Sequence, residues 1–144
     1  MLIILSELLD AMLAMAREDH PLETCGVIVA PVGSPLPTRL IPMRNAAQSQ
    51  SFFQFDPQEQ LRVWREMECR NEEPRVIYHS HTHSAGYPSR DDIRLAGEPQ
   101  AHYVILCTAQ NCGPPVRSFR IVNGQVTEEG IQAVAQYPAA VVSR

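Results

Sequence analysis

The chain has 144 residues, of which 44% are apolar and 19% charged, with 12 prolines and a net charge of −4. That balance describes one globular domain large enough to bury a core, and it argues against a disordered or fibrous chain. Lys and Arg are scattered, which leaves no basic stripe for nucleic acid, and no apolar run reaches the roughly 18 residues of a membrane span.

The opening stretch MLIILSELLDAMLAMA is apolar enough to suggest a signal peptide, but it has no basic leading segment and carries Glu7 and Asp10. A retained helix in a cytoplasmic protein is therefore expected. Ser6 is predicted to cap this helix, which runs from about Glu7 to Asp19, with Leu8, Leu9, Met12, Met15 and Ala16 as its buried stripe. His20-Pro21 ends it. GVIVA, residues 26–30, reads as a buried strand; a loop containing VGSPLP and a second strand around RLIPM follow. SFFQF, residues 51–55, alternates like a strand.

Asp56-Pro57 supplies a cap and a first-turn proline for a helix to about Cys69, with Leu61, Trp64 and Met67 facing inward. RVIYHSH is the next strand, and a helix opens at Ser89 after a loop ending in Pro88. AHYVILCT is a further strand, and VRSFRIV, Asn123-Gly124 and QVTEE form a hairpin. The fold class expected is α/β, a single-domain mixed central sheet flanked by helices over residues 1–130. Residues 131–144 form a C-terminal tail, either a short helix or a loose segment. Cys25, Cys69, Cys107 and Cys112 follow no C-x-x-C spacing and are expected as free thiols, Cys107 in the core and Cys112 exposed.

HSHTHSAGYPSRDD, residues 79–92, concentrates three of the five histidines with two aspartates. On a strand His79 and His81 point the same way and Ser80 the other, with Cα atoms roughly 6.6 Å apart, a span that two imidazoles can close onto one ion. A third ligand must come from outside the strand, and the first turn of the next helix offers Asp91 and Asp92. Two histidines, one carboxylate and an open position describe a catalytic zinc site rather than a structural one. The competing reading is plain: an H-x-H pair also serves in ordinary hydrogen bonding, and Ser89 with Asp92 at the third helical position forms a variant capping box. Zinc binding and capping by Asp92 are expected to exclude one another.

The interval His79-Ser-His81, seven residues, Ser89, two residues, Asp92 resembles the metal motif of the JAMM (MPN+) metallopeptidases, H-[ST]-H-x7-S-x2-D with a glutamate upstream. PLETCGVIVA places Glu23 where that family keeps the glutamate. IPMRNA, FDPQEQLRVWREME, AHYVIL and RSFRIVNGQVTEE are similar to the bacterial Mec branch, so the resemblance spans most of residues 17–129. It implies the JAMM/MPN (cytidine deaminase-like) architecture, with Zn2+ held by His79, His81 and Asp92. It further implies Glu23 as general base and then general acid, and Ser89 as hydroxyl donor to the oxyanion. The implied partner is a ubiquitin-like sulfur carrier protein with a C-terminal Gly-Gly, and the implied reaction releases cysteine or a similar small amine after the terminal glycine.

Two alternatives accompany that reading. One is a general isopeptidase or C-terminal trimming peptidase for ubiquitin-like proteins, which shares the same catalytic parts. The other is a non-catalytic MPN-type protein-binding module, against which the complete ligand set argues. A deaminase reading fails for want of H-x-E with P-C-x-x-C. His83 is expected to line the cleft without binding metal, and His102 to be structural. Cys25 shares the face of Glu23 if the strand starts there, while the apolar run beyond it favours the core. Association into a homodimer is left open by the sequence.

Overall fold

A computed structural model describes residues 1–139 of the chain. In chain order the elements are β1 (Leu2–Leu5), α1 (Ser6–Asp19), β2 (Cys25–Pro31), β3 (Arg39–Met43), α2 (Pro57–Cys69) and β4 (Glu72–His81). They continue with α3 (Arg90–Leu95), β5 (His102–Cys107), β6 (Val116–Val122), β7 (Gln125–Glu129) and β8 (Ile131–Val134). The main sheet has the order β3-β2-β4-β5-β6-β7. Only the central β4–β5 pair is parallel; its neighbours are antiparallel.

Central strands covered on both faces read as unbroken apolar runs, which is why GVIVA and YVIL show little alternation. One face packs Ile28, Val76, Tyr78, Val104 and Leu106 against Leu8, Met12 and Ala16 of α1 and against Leu2 and Ile4. On the other face, Val27 and Val29 meet Val63 and Met67 of α2, while Ile77, Ile105 and Phe119 form a neighbouring cluster. Asn123 and Gly124 take φ of 50° and 76°, the left-handed pair that a tight hairpin between β6 and β7 requires.

Several expectations are corrected. Leu2–Leu5, ahead of the expected helix, form a strand and pair in parallel with Ile131–Val134, so that part of the expected tail is neither helix nor loose segment. Residues 140–144 of that tail lie outside the described residues. Ser6 is the first helical residue; the cap position belongs to Leu5, with no side-chain bond. Along α2 the buried positions are Val63 and Met67, while Leu61 is exposed because the buried stripe runs past it.

SFFQF forms no ladder, only a single bridge between Asn45 and Phe55. The Asn45 side chain stands in for a partner strand: its amide donates to Phe52 O at 3.0 Å and its oxygen accepts from Gln54 N at 3.1 Å. Cys107 and Cys112 are joined as a disulfide, with Cα atoms 6.4 Å apart, rather than free. Asn111 and Gly113, which flank Cys112, take φ of 58° and 78°, and the chain doubles back onto the end of β5.

Candidate metal centre

Alternation along β4 turns Val76, Tyr78 and Ser80 toward α1 and leaves Ile77, His79 and His81 on the α2 face. Both histidines are buried, at 3% and 5% exposure. Their Nε2 atoms lie 3.0 Å apart, and each is 3.1 Å from Oδ2 of Asp92. His81 donates Nδ1–H to the carbonyl of Ala85 at 2.8 Å, which fixes its ring plane and makes Nε2 the atom that faces Asp92. The ring of Phe53 stacks on His79, with centroids 4.4 Å apart and planes 22° from parallel.

Asp92 reaches this point from the first turn of α3. Ser89 is the N-cap: its Oγ accepts from Asp92 N at 3.1 Å, and Asp92 Oδ2 accepts from Ser89 N at 2.8 Å. Capping and approach to the histidines thus use the same oxygen, so the capping bond does not turn Asp92 away from the two imidazoles. A carboxylate oxygen has two lone pairs, and here the cap aims the second one. Asp91 is exposed and pairs with Arg94 instead.

Glu23 enters through the register of the sheet. Cys25 pairs with His79 across β2 and β4, so continuing two places sets Glu23 opposite His81 on the same face. Ser80, pointing the other way, fixes this extension: its Oγ accepts from Thr24 N at 2.8 Å and its own N–H donates to Thr24 O at 3.0 Å. The Glu23 backbone is held further by Ser49 and Asn45. Ser80, Asn45, Ala85 and Phe53 are the site residues that sequence reasoning missed. Only Phe53 carried a trace of its role, in the alternation of SFFQF.

The electrostatics follow from burial. Glu23 is raised from 4.5 to about 7, first by burial, with His81 pulling it down and Asp92 pushing it up. Burial lowers His79. Burial also pushes His81 down, but its bonds to Asp92 and Ala85 and the nearby acids outweigh that and leave it raised. Burial of Asp92 favours its neutral form, yet its bonds to both histidines prevail and hold it well below the ordinary carboxylate range.

Two zinc ligands at about 2.0–2.1 Å in tetrahedral array lie about 3.3–3.4 Å from one another. The three donor pairs here, at 3.0–3.1 Å, need to open by only a few tenths of an ångström. Two imidazole nitrogens and a carboxylate oxygen converging on one point are chemically suited to a divalent cation, and the donors fit it. Beside them runs a groove of about 500 Å³ between Phe53, Phe55, Ile77, Tyr103 and Leu95.

The other singled-out residues separate clearly. His83 is exposed, bonds Thr82 Oγ1 at 2.8 Å and lies outside the converging group. His102 is buried and bonded to Glu129 at 2.5 Å, a structural pair. Cys25 is in the core at 1% exposure. Among the described residues, no helix is long and apolar enough to cross a membrane.

The fold is one shared with JAB1/MPN domain proteins, and the chain belongs to the family described as prokaryotic homologs of the JAB domain, which it matches over residues 5–122. Within that family, it is 53% identical over 136 residues to the CysO-cysteine peptidases of Mycobacterium tuberculosis and Mycobacterium bovis, covering 94% of this chain and 93% of theirs. Among solved structures, a Desulfitobacterium hafniense protein is 31% identical with a TM-score of 0.79, covering 94% of each chain. A JAB1/MPN domain protein from Archaeoglobus fulgidus shares the fold at 18% identity and a TM-score of 0.57, covering 92% of this chain and 99% of that one.

Proposed function

We propose that this chain is a zinc-dependent peptidase that hydrolyses the amide bond after the C-terminal glycine of a ubiquitin-like sulfur carrier protein and releases cysteine or a similar small amine. The observation that carries the catalytic part is the convergence of His79 Nε2, His81 Nε2 and Asp92 Oδ2 within 3.0–3.1 Å of one another. The substrate part rests on the 53% identity to the CysO-cysteine peptidases.

His79, His81 and Asp92 would hold the zinc, which supplies Lewis acidity to the attacking water and the scissile carbonyl. Glu23 takes the proton from that water at its carboxylate and returns it to the departing amine. Burial gives this carboxylate a proton affinity near neutrality, which suits both halves of the task. Ser89 Oγ already accepts the Asp92 amide, so its hydroxyl hydrogen is free for the developing oxyanion. The groove walled by Phe53, Phe55 and Leu95 receives an extended chain leading to the scissile bond.

Incubation of the zinc-loaded protein with a carrier–cysteine conjugate, followed by mass spectrometry of the carrier, tests the proposal. Loss of one cysteine residue from the conjugate is expected, and E23Q abolishes it. An intact conjugate alongside cleavage of other C-terminal extensions would reassign the substrate; no cleavage of any conjugate would reject the peptidase.

A further inference from the structure

The two histidines of the centre are held by different means. His81 has the common arrangement, its far nitrogen donating to a backbone carbonyl, Ala85 O at 2.8 Å, which fixes ring plane and tautomer. His79 lacks a counterpart. Among the described residues no group bonds its Nδ1; its polar neighbours, His81 and Asp92, are both on the Nε2 side. What covers the imidazole instead is the ring of Phe53, at 4.4 Å and 22°.

Phe53 is itself fixed without help from His79. Its ring meets Phe55 edge-on at 5.7 Å, and Phe55 leans on Trp64 of α2 at 6.2 Å. Its backbone is pinned on both sides, Phe52 O and Gln54 N to the Asn45 side chain, while Gln50 O accepts from Thr82 Oγ1. An aromatic wall therefore runs from α2 to the buried face of His79. Rotation of the imidazole about its Cβ–Cγ bond would drive its edge into that wall.

We infer that Phe53 is the positioning residue of His79: its ring, in place of a hydrogen bond, sets the plane of the imidazole and keeps Nε2 aimed at the cation. The inference rests on the reading that His79, His81 and Asp92 bind zinc. An aromatic face is also a favourable neighbour for the partial positive charge an imidazole acquires on ligation.

The test compares zinc affinity, by chelator competition, and the visible spectrum of the Co2+-substituted protein in the unaltered chain, F53L and F53Y. Outer-shell partners of metal-bound histidines are typically worth about 10-fold to 100-fold in metal affinity, so F53L is expected to bind zinc at least about tenfold more weakly. Its Co2+ bands shift or broaden as the ligand field loosens, and F53Y restores both readouts. Melting of the metal-free proteins checks folding; should F53L fail to fold, F53M takes its place. If the unaltered chain binds no zinc, the metal reading itself fails. If it binds zinc and F53L matches it in affinity and spectrum, or F53Y behaves as F53L does, the positioning role of the ring is overturned.

Discussion

Glu23 offers a thermodynamic test that needs no substrate. Its carboxyl is raised from 4.5 to about 7 in the fold, chiefly by burial, so between these values the folded chain holds a proton that the unfolded chain has lost. The sign follows: stability associated with this group is complete below about pH 4.5 and is lost as the pH rises through about 7. At about 1.4 kcal/mol per pH unit the displacement corresponds to about 3 kcal/mol, which incomplete desolvation reduces to about 2–3 kcal/mol. E23Q keeps the shape of the protonated acid and does not titrate. In metal-free protein it should match the unaltered chain at pH 4.5 and exceed it by about 2–3 kcal/mol at pH 8. Urea unfolding followed by the fluorescence of Trp64 reads this directly, because at an m value of about 2 kcal/mol/M the midpoints separate by about 1 M or more at the upper pH. Added zinc should shrink the gap, since a nearby cation favours the charged carboxylate. A stability difference that stays constant from pH 4.5 to 8 would refute the assignment of a buried, proton-holding Glu23.

Metal analysis of purified variants should show H81A without zinc and H83A with a full complement, because His83 lies outside the converging donors; equal loss in both would overturn the ligand set. D92N retains an oxygen for the Ser89 amide and should keep α3 while losing zinc. D92A should lose both, read as zinc content together with helical circular dichroism. Y78F is expected to be neutral to about 1–2 kcal/mol stabilising in urea unfolding, since the buried Tyr78 hydroxyl has no partner among the described residues. G26A should instead destabilise by about 1–3 kcal/mol, because a Cβ there overlaps the Tyr78 ring and hydroxyl. G26A/Y78F should not be rescued, as the overlap with ring carbons persists.

Much of the fold was legible because its determinants are local. Asp56-Pro57 opens α2 with a cap whose oxygen accepts from Gln58 N and Glu59 N, and Asn123-Gly124 dictates the β6–β7 hairpin. The pairing of His79 with His81 needed only the two-residue repeat of a strand. What local pattern could not give was the identity of distant partners. β1 exists because Ile131–Val134 comes back to meet it, and nothing in LIIL distinguishes a strand from the first turn of the helix that follows. Glu23 could be chosen among the acids only through resemblance, since its place depends on the β2–β4 register and on a serine pointing away from the site. SFFQF alternates correctly for burial, yet its backbone partner is one asparagine side chain, which no periodicity announces.

Asp92 shows how one carboxylate can cap a helix and still face two imidazoles. Arg90–Leu95 is a short helix with no buried residue, so packing alone does little to fix its orientation. Its first turn is fixed by the reciprocal bonds between Ser89 and Asp92, and the carboxylate so engaged stands 3.1 Å from both imidazole nitrogens. Were Asp92 an exposed side chain free to rotate, it would lose rotamer entropy on ligating an ion; here the cap has already removed that freedom. The Ser-x-x-Asp spacing therefore serves a single physical end. It immobilises an acid on a helix too small to immobilise it by burial, and it leaves the serine hydroxyl hydrogen unused by the cap.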